Sequence, residues 1–502
     1  MIADSTNSEA VNGEPRKSRR LLRTVLCLGI AGCISYSLWS DARSPDKLIK
    51  QAKAAFAQQD FETAEKFASL VLKQLPNSTE AALLAGRAAA GRKQFEAAHG
   101  YFERVPDNGS RQAVTARSES GNIMLLELKR PTSAEELYRR AYAQDSENLI
   151  ASYRLAYLLG MCGRNRDAIP FRLKLIELDQ FESLNLYLLC TGDTVLENLE
   201  SLKELYQSAP DDPLPQLGMA RSAINQQDTQ QALNLLKKVI AVRPELYEAQ
   251  VKLGGLLLDA GAESEFLQWR SILPKGIKTH PKYWVVLGDW AQSHVQTQAA
   301  IRCFWEAVRI DPSHERANYQ LSQLLIAEGS QQQAEVFLNR SRSLERYYTA
   351  VKIAWTGEDM PAVKQAVNQA ELLGMIWEAY GWSRLMIKHF PETAWAQRAV
   401  RRLKPRLSTL TLTRTIPKEN PANAVDLSDF PLPNFPSQVE EPHSSESLVS
   451  ETETSGDVRF IDQASEAGIS FSYFNGADRK HQTRKMYEPV ATFKMSCIRA
   501  TT

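Results

Sequence analysis

PKYWVVLGDWAQSHVQTQAAIRCFWEAVRIDPSH, residues 281–314, reads as two amphipathic helices joined by a short turn. Trp284, Leu287, Gly288 and Ala291 recur at helical spacing in its first half; Ala300, Phe304 and Ala307 do so in its second, and Pro312 follows. A small residue in the first helix and another twelve positions later in the second let antiparallel helices approach closely, while large apolar neighbours fill the groove between them. The late proline ends the second helix before the next pair begins.

The same phase runs outward in both directions. Thirty-four residues earlier it gives Leu253, Gly254 and Leu257, and 68 earlier Ala220, Ala223, Ala232, Leu236, Val239 and Pro244. Thirty-four later it gives Leu321, Leu325, Ala334 and Leu338. Near the N-terminus Ala52, Ala64, Ala68, Val71 and Pro76 are followed one period on by Gly86, Ala98, Phe102 and Val105, then by Ala134, Tyr138 and Ala141, then Ala168 and Leu175. One helix pair cannot bury its apolar face alone, so such pairs stack into a continuous array. The period predicts an all-α solenoid over residues 45–403, with Gly86, Ala98, Gly254, Gly288, Ala300 and Ala334 at the close helix contacts. The small-residue phase is lost between Phe181 and Pro213, and SILPKGIKTHP shortens the second helix between Phe266 and His280. Past Arg342 the phase drifts, although Ala350 and Ala362 keep the twelve-residue spacing, and TAWAQRAVRRL reads as a terminal cap.

This pattern strongly resembles the tetratricopeptide repeat family, whose usual small and large positions residues 281–314 match throughout. The resemblance implies a right-handed superhelix with a concave face lined by the first helix of each pair. Carried over position by position, that face takes Leu217, Arg221 and Asn225; Val251 and Asp259; Val285, Asp289 and Gln292; Arg316, Tyr319 and Gln323. The set lacks the Lys/Asn pairing with which some members hold a C-terminal carboxylate, which disfavours a receptor of that kind.

Composition narrows the function classes. The 502 residues carry 60 Lys+Arg against 59 Asp+Glu, a net charge of +1, so no surplus of positive charge points to nucleic acid. At 43% hydrophobic and 24% charged the chain is neither wholly disordered nor polytopic. Six cysteines without a CxxC spacing make no disulfide framework. The seven histidines form no i,i+3 or i,i+4 pair, and no P-loop, GxSxG or GxGxxG is present. Asp211-Asp212, flanked by prolines, reads as a turn. No catalytic residue, cofactor or metal is expected.

Both ends differ from the array. Residues 1–20 form a basic, disordered tail, and TVLCLGIAGCISYSLW (residues 24–39) carries no charge; its sixteen residues span about 24 Å as a helix. With Leu21, Leu22 and a snorkelling Arg23, the segment 21–40 suits a single membrane span, and the preceding cations place the N-terminus in the cytoplasm and the array on the exported side, in the periplasm or cell envelope. Three readings are open: a signal-anchor helix; a lipoprotein signal, since Ile30-Ala31-Gly32-Cys33 resembles the bacterial lipobox and makes Cys33 a candidate for lipidation; or an ordinary cleaved signal or buried helix.

Beyond Leu403 the composition turns to Pro, Ser and Glu, which predicts a flexible linker over residues 404–457, with DLSDFPLPNF (residues 426–435) readable as a short docking motif or as sticky residues in that linker. In residues 458–502, Phe460, Asp462, Glu466-Ala467-Gly468-Ile469, Phe471 and Asn475-Gly476 resemble the opening of the ASPIC/UnbV family, with Ala464 where that pattern has Thr or Ser. The family continues into Asp-rich loops of a calcium-decorated propeller. Here TFKMSCIRATT follows Ala491, so the resemblance implies ancestry and a truncated module without calcium ligands.

The expectation is a membrane-tethered, exported scaffold that binds a protein or peptide along its concave face. The alternatives are the recruiting arm of a larger ASPIC/UnbV-type protein, and a soluble cytoplasmic adaptor.

Overall fold

The computed structural model describes residues 44–191 and 198–436. The basic tail, the 21–40 segment, Cys33, residues 437–457 of the linker and the 458–502 segment lie outside the described residues, as does the unit 440–502. Among the described residues there is no strand, and no helix is long and apolar enough to cross a membrane.

Consecutive helices pack antiparallel in pairs. They are α1 (Pro45–Ala57) and α2 (Phe61–Gln74), α3 (Thr79–Gly91) and α4 (Phe95–Glu103), α5 (Arg111–Asn122) and α6 (Pro131–Gln144), and α7 (Leu149–Met161) and α8 (Asn165–Glu177). After α9 (Ser183–Thr191) and α10 (Leu199–Ser208) the pairing resumes with α11 (Pro213–Asn225) and α12 (Thr229–Val242), α13 (Tyr247–Asp259) and α14 (Glu263–Ser271), α15 (Pro281–Ser293) and α16 (Thr297–Ile310), and α17 (Glu315–Ala327) and α18 (Gln331–Ala354). The series ends in α19 (Met360–Leu372), α20 (Ile376–His389) and α21 (Ala394–Leu407).

The turns within pairs explain the regularity. Gln59, Lys93, Gln227, Gly261, Val295 and Gly329 all hold a left-handed φ, and within each half of the array they stand 34 residues apart. Each reverses the chain after a first helix, and the next amide bonds back across the turn, as Asp60 N does to Ala55 O (2.9 Å) and Gln296 N to Ala291 O (2.9 Å). Acidic caps then start two of the second helices: Asp60 accepts from Thr63 N at 3.1 Å and Asp228 from Gln231 N at 3.0 Å.

The small residues sit where the helices touch. A Cβ on Gly86 would lie 2.6 Å from the Phe102 ring, on Gly254 2.3 Å from Trp269, and on Gly288 2.9 Å from Phe304, distances at which the larger ring has to move. Ala98, Ala300 and Ala334 are buried on the facing second helices. The shortened helix expected after Phe266 is α14, which gives way to a 3₁₀ turn at Lys275–Thr279.

Where the repeat phase lapses, the chain does something else. α9 packs on α18 and α20, and α8 also meets α20, so the middle of the array touches its C-terminal helices. A Cβ on Gly381 of α20 would lie 2.6 Å from Leu186 of α9. Arg384 pairs with Asp179, and Lys388 Nζ reaches the Asp179 and Phe181 carbonyls at 3.3 and 3.4 Å. α10 instead lies against α11, and Asp212 caps α11 through Leu214 N (2.9 Å) while accepting from Thr132 Oγ1 (2.7 Å) on α6.

The largest departure from expectation is the first part of the predicted linker. α21 continues to Leu407, and residues 408–436 form an extended strap that lies back across the array. Trp377 Nε1 donates to Thr411 O (3.1 Å), Ile416 N to Gly374 O (3.0 Å), and Asn420 Nδ2 to Arg309 O (2.9 Å). Arg340 donates to the carbonyls of Pro312, Leu373 and Glu419 at 2.7, 3.0 and 2.9 Å, and Ala422, Val425 and Leu427 are buried. Residues this polar stay ordered because the array, already folded, supplies partners for their main chain and pockets for a few apolar side chains.

Arg414 is the strap's charged anchor. Its Nε donates to Glu378 Oε1 at 2.6 Å, its Nη1 to Ser313 Oγ at 3.1 Å, and its Nη2 approaches Cys190 Sγ at 3.7 Å. The Glu378 side chain is 0% exposed and also accepts from the Tyr347 hydroxyl. Burial works against the charge on Arg414, but Glu378 and the surrounding Tyr348, Cys190 and Tyr347 hold its proton well above the ordinary guanidinium range. Burial pushes the Cys190 thiol up to about 12, so it stays a neutral neighbour.

Candidate functional site

Helices α13, α15 and α17 each have thirteen residues and begin 34 positions apart, so equivalent residues recur along their sides. Between them and the start of α14 opens a cleft of about 510 Å³. Leu257, Leu258 and Asp259 reach it from the end of α13, Gly261 from the turn, and Ala262, Glu263 and Phe266 from the start of α14. Asp289, Gln292 and Ser293 come from α15, and Arg316 and Gln320 from α17.

The polar groups are tied together from one repeat to the next. Arg316 Nη2 donates to Asp289 Oδ1 at 2.8 Å, although the arginine is 59% exposed and the aspartate only 18%. Burial pushes the Asp289 carboxyl up to about 6; Arg316 opposes this and the nearby Asp259 charge adds to it. On the opposite wall Glu263 Oε1 accepts from Trp290 Nε1 at 2.9 Å and lies 3.5 Å from His294 Nε2. Phe266, at the cleft's base, stacks on the same indole with ring centroids 6.4 Å apart.

The structure divides the residues expected to line the concave face. Asp259, Asp289, Gln292 and Arg316 come together in the cleft. Leu217, Val251 and Val285 share one register and are all buried in the array; Arg221 is 1% exposed, with Nη1 donating to Gly160 O at 3.1 Å. Those four therefore serve packing and offer no surface to a ligand. Tyr319, one period after Val285, is 49% exposed, because the next helix in register would begin near residue 349, where α18 is still running. Gln323 and Asn225 are exposed, and neither lines the cleft. Gly261, Glu263 and Phe266 were not expected in a site, since first-helix register does not reach the turn or the second helix. The signal available for them was Gly261, standing where the 34-residue turn recurs.

Residues 49–113 and 217–270 match the model of the tetratricopeptide repeat family. Those two stretches carry tetratricopeptide repeats. Among solved structures the chain is similar to the APC/C hetero-tetramer Cut9-Hcn1, at 14% identity over 83% of this chain and 94% of that one, with a TM-score of 0.27. It is also similar to the human IFIT1 dimer with PPP-AAAA, at 14% identity over 72% of this chain and 89% of that one, with a TM-score of 0.29. Scores this low carry no argument about course or ligand. No curated protein matches the chain.

The raised Asp289 value makes a pH prediction. Between the ordinary aspartate value of 3.8 and about 6, the folded chain holds a proton that the unfolded chain has released. This group's contribution to stability is therefore complete below pH 3.8 and lost as the pH rises to about 6. Asp289→Asn should flatten that part of the stability profile and melt above wild type at pH 7.5. Thermal melts at pH 4.5, 6 and 7.5 check this, and an unchanged slope in the variant contradicts it.

Proposed function

We propose that the array is a protein-binding scaffold that seats a peptide segment of its partner in the α13–α15–α17 cleft. The carrying observation is the cleft itself: about 510 Å³, walled by Leu257, Leu258 and Phe266, with a largely buried carboxylate at Asp289. That volume falls among those of ordinary ligand sites, and a few fixed polar groups in an apolar hollow give orientation. Asp259, Glu263 and Asp289 outnumber Arg316, so the peptide presents a cationic side chain there. The reading assigns the chain no catalysis. Nothing in it calls for a metal, and among the described residues no group of three metal-capable side chains gathers.

Panning a displayed peptide library against the full-length protein tests the site. Peptides that carry Lys or Arg and lose at least tenfold in affinity to Asp289→Asn or Gln320→Ala are the expected result. Selected peptides that bind those variants as tightly as wild type contradict it.

The uncharged segment 24–39 behind a basic cluster further supports a scaffold tethered to a membrane and facing the exported side, with the ASPIC/UnbV resemblance of 458–491 marking a further module. A topology reporter inserted after residue 45 should report the exported side in a membrane fraction; a cytoplasmic signal there leaves the soluble adaptor.

A further inference from the structure

The strap is held in two different ways along its length. Up to Leu427 it is locked by Arg414, by Trp305 Nε1 donating to Val425 O (2.8 Å), and by the burial of Val425 and Leu427. From Ser428 to Pro436 the contacts are of another kind. Arg302 donates to the carbonyls of Ser428 and Phe430, the latter at 3.3 Å. The Gln296 amide pairs with both main-chain groups of Asn434: Nε2 donates to its carbonyl and Oε1 accepts from its N–H, each at 2.8 Å. Phe435 then lies 4.2 Å from the Trp290 ring, with the Arg270 guanidinium 3.7 Å from its centroid. Meanwhile the side chains of Ser428, Asp429, Pro431, Leu432, Asn434 and Pro436 point into solvent.

This is the geometry of peptide recognition. The array reads carbonyls and one amide of an extended, proline-containing stretch, and seats two of its side chains, the half-buried rings of Phe430 and Phe435. Main-chain reading tolerates sequence, and a chain stiffened by Pro431 and Pro433 loses little entropy when it lies down. Charge agrees: the segment brings Asp426 and Asp429 and no cation, while the face brings Arg270 and Arg302. With few buried contacts, the distal half opens without disturbing the locked half.

We propose that the face formed by Arg270, Trp290, Gln296 and Arg302 is a second peptide site, occupied in cis by residues 428–435 and able to take, in their place, an extended acidic Pro-x-Pro-x-aromatic segment of another protein. The cis segment acts as a tethered competitor at an effective concentration of about millimolar. A free peptide making the same contacts competes only as it approaches that concentration, so a partner frees the end of the strap by binding more tightly than the cis segment does. The inference is independent of the cleft reading, because its ligand contacts other side chains.

The test uses full-length protein and a fluorescent synthetic peptide of residues 424–436, AVDLSDFPLPNFP, followed by anisotropy. Phe435→Ala weakens the cis competitor and should bind this peptide at least tenfold more tightly than wild type does. Adding Gln296→Ala in that background should abolish the gain, and so should replacing the peptide's final Phe with Ala. An unchanged melting temperature for Gln296→Ala excludes misfolding, since its side chain serves Asn434. Equal binding to wild type and Phe435→Ala overturns the proposal, as does binding indifferent to the peptide's last ring. Wild-type dimers that grow with concentration while free peptide fails to bind also overturn it, in favour of strap exchange between copies. Loss of cleft binding in Asp289→Asn leaves this result untouched, so the two readings fail separately.

Discussion

The buried ion pair between Arg414 and Glu378 ties together five parts of the described chain. Around it meet α9 through Cys190, the turn before α17 through Ser313, α18 through Tyr347, α20 through Glu378, and the strap that carries the arginine. Two opposite charges out of water are costly, and the cost is recovered only where geometry is good and the remaining donors are satisfied. Here they are: each arginine nitrogen has a partner, and Glu378 accepts on both oxygens. Asp311 lies in the same region, and although its burial acts to raise its pKa, Arg414, Ser313, His314 and Arg166 together hold it below the usual carboxylate range.

A stack of helix pairs has only nearest-neighbour contacts by default, so stability is a sum of local terms and the ends are free to flex. In this chain the excursion of α8 and α9 to α20, together with the strap, adds contacts between residues some two hundred positions apart. Those contacts bracket α11 to α18, the part of the array that holds the cleft. Trp290 links the cleft to the strap directly: its indole donates to Glu263 in the cleft wall and stacks under Phe435 of the strap. One rigid aromatic therefore forms part of the strap's face while bracing Glu263 of the cleft from behind.

The helix pairs were legible because their cause is periodic. Gly288 against Phe304 and Gly254 against Trp269 impose a small residue at a fixed place in every period, and the turn residues follow the same count. The site was legible only in part. First-helix register picked out Asp259, Asp289 and Gln292, which lie in the cleft, but it assigned Leu217, Val251 and Val285 to a surface that the stacking covers. Register says which residues are equivalent; whether they are open depends on what the next helix does, as Tyr319 shows. The strap was not legible as ordered structure. Its composition is that of a linker, its order comes from partners 34 or more residues away, and Arg414 stands in a Thr-rich stretch with no local sign of the carboxylate it meets.

Whether the strap is an integral part of the folded array is measured most directly by a double-mutant cycle on Arg414 and Glu378. Chemical denaturation of the full-length protein should show Arg414→Ala losing about 3–5 kcal/mol, because Glu378 is left buried and unpaired, with much of the loss recovered in the Arg414→Ala, Glu378→Gln double variant. If Arg414→Ala unfolds at the wild-type midpoint, the strap does not hold the array together, and residues 408–436 revert to the linker their composition suggests.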